Sequence, residues 1–378
     1  MLKITKLLVI TIIIMLLFTG CWDKLEIDER AFIMSAGIDK SIDEEKFGPY
    51  TATYEYVNLN SIGKNATGKP RFIITSTGDN LSQITRQILT RTNKAIFLGH
   101  TKAIIIGENL AKDSAKFKAI LDSIERDPNV GRKIIILISK GMAKDVINIE
   151  AKEQPLLGRY ISNIEERGDI SGRFYSAPVA EILPSLHENE TALIGRIMAI
   201  GDEIKLSGSA VISNFKFVGW LEEEETTDVL FLRDSIKSDE ISVVKQKEGY
   251  EVSYIINNAK TKKDLNITED GEIQVKIDIE TEGYIDQYSL ETEVDLLKSE
   301  EIVKLEKEIS TELKKRISKV TKKLQNEFGA DVIEIDQLIH RENPELWKEI
   351  ENDWDEKFKD VKFEVNVKCI IRRIGMIN

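Results

Sequence analysis

The sequence has 378 residues, and its length predicts more than one domain because single hydrophobic cores rarely grow beyond about 250–300 residues. With 42% hydrophobic and 31% charged residues, the composition excludes both a wholly disordered chain and a polytopic membrane protein. The net charge of -12, without any basic run interleaved with aromatic residues, argues against nucleic acid as a partner.

Residues 1–20 form the first predicted element, a secretory signal. Lys3 and Lys6 precede an apolar run over Leu7–Phe18, which ends too early for a spanning helix of about 20 residues; a permanent transmembrane helix is the weaker alternative. The stretch Leu17-Phe18-Thr19-Gly20-Cys21 resembles the bacterial lipobox. We therefore expect cleavage before Cys21 and a diacylglyceryl group on its thiol, because two acyl chains anchor a protein stably where one holds only marginally.

Between Ala31 and about Glu190, predicted strands alternate with predicted helices. Apolar runs without polar alternation, such as Ile134–Ile138, are typical of strands that are covered on both faces in βαβ units. Neither a G-x-G-x-x-G sequence nor a P-loop follows these strands, which argues against a nucleotide site. The predicted strands are Thr51–Val57, Phe72–Thr75, Lys102–Ile106 and Lys133–Ser139, and the predicted helices are Asn80–Leu89, Leu110–Ile124 and a short one from Gly141 onward.

Glycine and proline residues between Ile164 and Ser185 predict a connector with breaks, and hence a domain boundary near residue 190. Short β-like segments then extend over Ala192–Trp220, and a helix with an acidic start is predicted over Leu221–Leu232. The predicted domain limits are residues 21–190 for an N-terminal α/β domain, 191–235 for a small β-rich middle region, and 236–378 for a C-terminal α+β domain.

The C-terminal region combines alternating strands with two amphipathic helices. A hairpin is predicted between Ile241–Gln246 and Tyr250–Ile256, and alternation follows over Ile273–Ile279. The long last strand, Val361–Ile371, has Cys369 on its apolar face, where we expect a buried thiol. We predict an antiparallel C-terminal sheet packed with long helices, within a multi-domain fold of the α+β (mixed α/β) class.

The two helices of this region carry different patterns. The first is predicted to begin after the N-cap Ser299 and to end before Gly329, with an apolar stripe and a lysine-rich second half. This basic stretch is typical of a solvated helix face, and contact with lipid head groups is the alternative. The second is predicted to begin after the N-cap Asn343, and its stripe places Trp347 and Trp354 on one buried face.

The residue types that carry catalysis form no clear constellation. His100, His187 and His340 fall in different predicted elements, so no helix offers two histidines at metal-binding spacing. A structural role suits each of them better, although His100 lies in a predicted turn and could meet a ligand. The two cysteines, Cys21 and Cys369, exclude a disulfide framework and a cysteine-based zinc site. Because no nucleophile motif and no distinct carboxylate pair is present, we predict a non-enzyme without catalytic residues, metal or cofactor.

Several blocks of sequence resemble one protein family. Cys21-Trp22-Asp23-Lys24-Leu25-Glu26-Ile27 and Ala36-Gly37-Ile38-Asp39 resemble the start of the Ger(x)C family, the lipoprotein subunits of bacterial spore germinant receptors. Ile333-Glu334-Ile335-Asp336 departs locally, since the family more often has a Gly-Phe-Gly type of segment there. The other blocks that resemble the family, in the same order along almost the entire mature chain, are Gly78–Leu89, Phe97–Lys102, Gly107–Ala111, Arg126–Pro128, Val218–Leu221 and Pro344–Lys348.

The resemblance implies a function in nutrient-triggered spore germination. It implies a three-subunit receptor in the spore inner membrane, in which this lipoprotein faces outward and accompanies two membrane-embedded subunits. Its implied role is scaffolding or signal relay. Trp22, Asp23 and His100 are then the first candidates for contacts with a partner or ligand. The alternatives are a solute-binding lipoprotein of a transporter, which would need two similar lobes around a cleft, and an anchored cortex-degrading enzyme, which would need a catalytic acid pair.

Overall fold

The computed structural model describes residues 5–6, 26–61, 68–168, 172–236, 238–245, 250–290 and 299–374. Cys21, Trp22 and Asp23, and the predicted signal apart from residues 5–6, therefore lie outside the described residues. The strands of the described part are, in chain order, β1 (Arg30–Lys40), β2 (Tyr50–Val57), β3 (Arg71–Gly78), β4 (Ala95–Phe97), β5 (Ala103–Gly107), β6 (Ile135–Ser139), β7 (Thr191–Ile200), β8 (Glu203–Ser213), β9 (Lys216–Leu221), β10 (Asp239–Lys245), β11 (Tyr250–Ile267), β12 (Ile273–Leu290) and β13 (Lys362–Ile374).

The helices pack on both faces of the first sheet and on one face of the second. They are α1 (Glu44–Phe47), α2 (Leu81–Leu89), α3 (Glu108–Ala111), α4 (Ser114–Arg126), α5 (Ala143–Ile147), α6 (Leu157–Gly168), α7 (Val179–Glu188), α8 (Glu223–Leu232), α9 (Ser299–Lys323), α10 (Ile335–Glu342), α11 (Pro344–Ile350) and α12 (Trp354–Asp360).

The first sheet has the strand order β3-β2-β1-β5-β6-β7-β8-β9, and β4 pairs with the start of β1. Its central pairs, from β1 to β5, β6 and β7, are parallel, and its outer pairs are antiparallel. Every residue of β5 is buried: Ile104 and Ile106 belong to one hydrophobic cluster, and Ile105 belongs to the cluster on the opposite face. This confirms the prediction of parallel strands that are covered on both sides.

The sheet continues across the predicted domain boundary near residue 190. Leu137 of β6 pairs with Gly195 of β7, and β8 and β9 extend the same sheet, so much of the predicted middle region 191–235 is part of the first sheet. The chain returns to the sheet through Glu190, whose φ of 56° makes a sharp turn after α7. The glycine and proline residues between Ile164 and Ser185 lie before this turn, and the domain limits themselves stay a prediction.

Some elements of the N-terminal half were not predicted from the sequence. The segment predicted as a connector from Ile164 to Ser185 contains the end of α6 and most of α7, which has Pro184 inside it. β1 was missed because its second half is buried on both faces, including the polar Ser35 and Asp39, so that it lacks a period-2 pattern.

The second sheet has the order β10-β11-β12-β13. The pairs β10–β11 and β11–β12 are antiparallel, as predicted, but β13 joins β12 in the parallel direction, with Val275 opposite Phe363 and Ile279 opposite Val367. The sheet is therefore mixed, because the helices between β12 and β13 carry the chain back to the beginning of β12. Cys369 is 3% exposed, which confirms its prediction as a buried thiol.

The helices between β12 and β13 are more numerous than predicted. α9 continues as a π-helical turn and ends at Gly329, as predicted, where a φ of 57° favours glycine. The predicted second helix is broken into α11 and α12 by a 3-10 turn at Glu351–Asp353, and α10 precedes it without having been predicted. These helices and α8 join both sheets in one continuous hydrophobic core.

Candidate contact surface

A partly exposed aromatic cluster lies where the described chain enters the first sheet. Arg30 and Phe32 of β1 pair in register with Ala95 and Phe97 of the short parallel strand β4. The chain then forms a turn, in which the Thr101 amide donates to the Leu98 carbonyl oxygen over 2.9 Å. His100 is exposed at the tip of this turn.

The rings of this cluster contact one another closely. Those of Phe32 and Phe97 lie 5.6 Å apart, edge to face, and the imidazole of His100 lies 5.2 Å from Phe32 and 5.4 Å from Phe97. The guanidinium of Arg30 stands 5.1 Å from the centre of the Phe97 ring. A Cβ atom on Gly99 would lie 2.8 Å from that ring, so a larger residue at position 99 would displace the Phe97 ring. We call Arg30, Phe32, Phe97 and His100 the aromatic turn.

The segment before β1 is held beside the aromatic turn. Ile27–Glu29 forms a 3-10 turn, and the Lys94 ammonium donates to the carbonyl oxygen of Asp28 over 2.8 Å. Ile27 is 71% exposed, although it is a large apolar side chain. Partly exposed aromatic, arginine and aliphatic side chains in one patch are typical of protein–protein contact sites.

The other two histidines lie in different surroundings from His100. The His187 Nε2 atom is 3.0 Å from a carboxylate oxygen of Glu125, and the His340 ring stacks on Trp347 with 6.1 Å between ring centres. Within the described ranges, no three or more His, Cys, Asp or Glu side chains are close enough together to hold a metal ion.

Buried carboxylates of the first sheet cap helices. Glu55 is fully buried and accepts hydrogen bonds from the amides of Leu157 (2.6 Å) and Gly158 (3.0 Å), and it pairs with Arg71 over 2.8 Å. Asp39 caps α5 in the same way through the amides at its start, and burial raises the pKa of this carboxyl. Both side chains have structural partners that account for their positions.

Two further buried carboxyl groups, those of Asp331 and Asp336, lie close together in the C-terminal half. Asp331 accepts hydrogen bonds from the amide of Asp336 (2.8 Å) and from the Trp354 indole (3.2 Å). Burial raises the pKa of Asp336 well above its ordinary value, and the nearby Asp331 carboxylate raises it further. The Lys263 ammonium donates to the Ile333 carbonyl oxygen beside this pair. Asp331 and Asp336 are 4% and 3% exposed, so the pair belongs to the core.

Of the sequence-predicted site residues, the described chain includes only His100. Cys21, Trp22 and Asp23 lie outside the described residues, and their roles stay predictions. Sequence reasoning missed Arg30, Phe32 and Phe97 as companions of His100. Phe97 stood in a block that resembles the family, but its contact with Phe32 depends on the β1–β4 register, which a single sequence does not reveal.

No helix among the described residues has the length and the apolar character needed to cross a membrane. Comparisons with known proteins cover nearly the whole chain. A family model described as "Spore germination protein N-terminal domain" matches residues 23–198, and one described as "Spore germination B3/ GerAC like, C-terminal" matches residues 207–375.

Individual relatives agree with these family matches. The chain is 28% identical to spore germination protein YndF of Bacillus subtilis (strain 168), with 95% of each protein covered. It is 23% identical to spore germination protein B3 of the same strain, with 96% of each covered. A crystal structure of the GerBC protein superposes with a TM-score of 0.60 at 19% identity, covering 89% of this chain and 96% of that one, which supports the fold.

The two-sheet fold and these matches define the class: the chain is a spore germination protein. Within that class it belongs to the Ger(x)C family, as the sequence blocks indicated.

Proposed function

We propose that this protein is the lipoprotein subunit of a nutrient germinant receptor and acts by binding two membrane-embedded subunits, without catalysing a reaction. A diacylglyceryl group on Cys21 would hold it on the outer face of the cell membrane, in the spore inner membrane. The observation that carries the proposal is the match of both family models, which together span nearly the whole chain.

The short distance in sequence between Cys21 and the described chain supports a role for the aromatic turn. Only five residues lead from Cys21 to Glu26, and an extended chain covers about 3.3–3.6 Å per residue, or at most about 18 Å. With Cys21 acylated, the aromatic turn would stay near the membrane surface, where membrane-embedded subunits are accessible. Trp22 and Asp23 belong to the same proposed contact because they lie within this short segment.

The anchor is tested with Cys21→Ala in sporulating cells that are fed a palmitate analogue. We expect the parent protein to carry the label and to fractionate with the spore inner membrane, and the variant to lose both properties because no other acylation site is predicted. Label that persists on the variant would contradict the anchor.

The receptor role is tested by deleting the gene in a strain without a redundant copy. We expect the spores to lose their response to one set of nutrients, while they germinate normally with agents that bypass nutrient receptors. Normal nutrient germination of the deletion strain would contradict the receptor role.

The contact role is tested with His100→Ala, with His187→Ala as the control because both histidines are exposed and they contact different residues. We expect His100→Ala, present at the parental level in spore membranes, to recover less of the two membrane-embedded subunits when the protein is purified, and His187→Ala to recover them fully. Full recovery by both variants would exclude His100 from the contact.

A further inference from the structure

A cleft of about 710 Å³ opens in the N-terminal half, between α2 and α4. Its floor is formed by the first sheet, where Ala36 and Ile38 of β1, Tyr54 of β2 and Ile104 of β5 face it. The walls are formed by Leu81, Ser82, Thr85 and Arg86 of α2, by Asp122, Ser123, Ile124 and Arg126 of α4, and by Ile96, Leu98, Thr101, Asp127, Pro128, Asn129, Val130 and Ile134.

The cleft follows from the way the two helices pack on one face of the sheet. α2 lies over β2, β3 and β4, whereas α4 packs against α3, α7 and β9, so the two helices leave a gap between them above the sheet. At that point β1 offers the short side chain of Ala36 beside Ile38. The Tyr54 hydroxyl on the floor is hydrogen-bonded to Thr85, and burial raises the pKa of this tyrosine, so the floor is apolar apart from a phenol that already has a partner.

The charged groups at the mouth differ in whether they have partners. Arg126 is bound to the Asp122 carboxylate over 2.9 Å, and the Asp127 carboxylate accepts hydrogen bonds from the amide (2.9 Å) and the side chain (3.0 Å) of Asn129. Arg86 is exposed on the opposite wall, and no carboxylate of the described residues pairs with it. Arg86 is therefore the cation at the mouth that has no ion-pair partner among the described residues, whereas Arg126 is paired with Asp122.

We propose that this cleft is a binding site for a small monocarboxylate with an apolar body. Its volume lies within the range of roughly 300–1,000 Å³ that small-molecule sites occupy. The apolar body covers Ile38 and Ile104, and the carboxylate takes two parallel hydrogen bonds from Arg86, the geometry that a guanidinium favours. An amine of the same shape would meet only Asp127, whose Oδ1 atom already accepts two hydrogen bonds from Asn129, because the Asp122 carboxylate is paired with Arg126.

The site does not depend on the proposed receptor role. Ile96, Leu98 and Thr101 of its wall flank the aromatic turn, so a bound ligand touches the segment that carries His100. Binding to the purified chain tests the cleft alone, whereas germination and partner recovery test the receptor role, so failure of one is distinguishable from failure of the other.

The test measures binding of 3-phenylpropionate, 2-phenylethylamine and L-phenylalanine to the purified full chain by isothermal titration calorimetry. These probes share one apolar body and differ in charge. We expect 3-phenylpropionate to bind, 2-phenylethylamine not to bind, and L-phenylalanine to bind no more tightly than 3-phenylpropionate. Tighter binding of either amine-bearing probe, or no binding of 3-phenylpropionate at concentrations of about 10 mM, would overturn the proposed ligand class.

Two variants with substitutions at exposed positions test the location, so that folding is retained. Arg86→Gln should weaken 3-phenylpropionate binding by about tenfold or more, because a charge-assisted pair is lost, and Ser82→Phe should block binding by filling the mouth. Arg91→Gln, at an exposed arginine near the end of α2 that does not line the cleft, is the matched control and should bind like the parent. Parental binding by Arg86→Gln and Ser82→Phe would overturn the site.

Discussion

At the residue scale, Trp347 and Trp354 differ in burial, although their helical spacing predicts the same environment for both. Trp354 is 7% exposed and is hydrogen-bonded to Asp331, whereas Trp347 is half-buried and packs against the exposed His340. The prediction that both lie in the core is confirmed for Trp354 and holds only in part for Trp347, which packs against the core and against Trp354 with a partly exposed ring.

Trp354→Ala should therefore lower the free energy of unfolding by about 3–5 kcal/mol, because it removes a large core side chain and a donor to Asp331. Trp347→Ala should cost about 1 kcal/mol, as is usual for a partly exposed side chain. Urea unfolding of the purified full chain, followed by circular dichroism, measures both. Equal losses would show that the two side chains contribute alike.

The buried carboxyl pair Asp331 and Asp336 predicts a pH dependence of stability. The pKa of Asp336 is raised in the folded protein, so the folded state holds a proton that the unfolded state releases above its ordinary carboxyl pKa. The free energy of unfolding that this bound proton adds is fully present at low pH and is lost as pH rises through the raised pKa. The loss is at most about 1.4 kcal/mol per pH unit.

Asp336→Asn should reduce this dependence, because the amide cannot release a proton. Between about pH 5 and pH 9, the free energy of unfolding of the parent should fall more steeply than that of the variant, so that the variant gains relative stability at high pH. The control is Asp270→Asn, at an exposed turn, which should follow the parent. Parallel curves for the parent and Asp336→Asn would mean that Asp336 is ionised in the folded protein.

At the scale of single elements, α6 depends on a carboxylate far away in the chain. Glu55 of β2 binds the amides at the start of α6 and is also paired with the buried Arg71. Glu55→Ala should cost about 3–5 kcal/mol of unfolding free energy, since it leaves Arg71 buried without a counter-ion and α6 without its cap.

The matched control for this change is Glu150→Ala. Glu150 also pairs with a basic side chain, Lys69, but both partners are more than three-quarters exposed. Its removal should cost less than about 1 kcal/mol, because surface ion pairs contribute little. Thermal unfolding of the two variants compares them directly, and similar losses would rule out a special role for Glu55.

The sequence was informative for elements that carry their own pattern. The stripe of Ile84 and Ile88 in α2 and the alternation from Ile273 to Ile279 in β12 correctly predicted one buried face each. α6 was not predicted although Leu157, Ile161 and Ile164 recur at helical spacing. The parallel pairing of β13 depends on contacts with distant residues, which no local pattern contains. The same holds for the contact surface, where His100 could be selected as a turn residue but its neighbour Phe32 could not.

At the scale of the whole molecule, the two sheets differ in size and pairing. The described residues form a nine-stranded sheet with a parallel centre and a four-stranded mixed sheet. A solute-binding lipoprotein would need two similar lobes around a cleft, and the described cleft instead lies within the first sheet and its own helices. This arrangement therefore gives the transporter alternative no support.

The pairing of β7 with β8 has a consequence for dividing the chain. One family model ends at residue 198 and the other begins at residue 207, so the boundary between them falls within the β7–β8 hairpin, which turns at Gly201. A break there would separate the paired, buried residues Ile194 and Ala210 and leave each on a newly exposed sheet edge. Each half should aggregate when it is produced alone. Produced together, the halves should complement each other into a nicked but native assembly that is recovered as a one-to-one complex, so this molecule would behave as one cooperative body in spite of its two family matches.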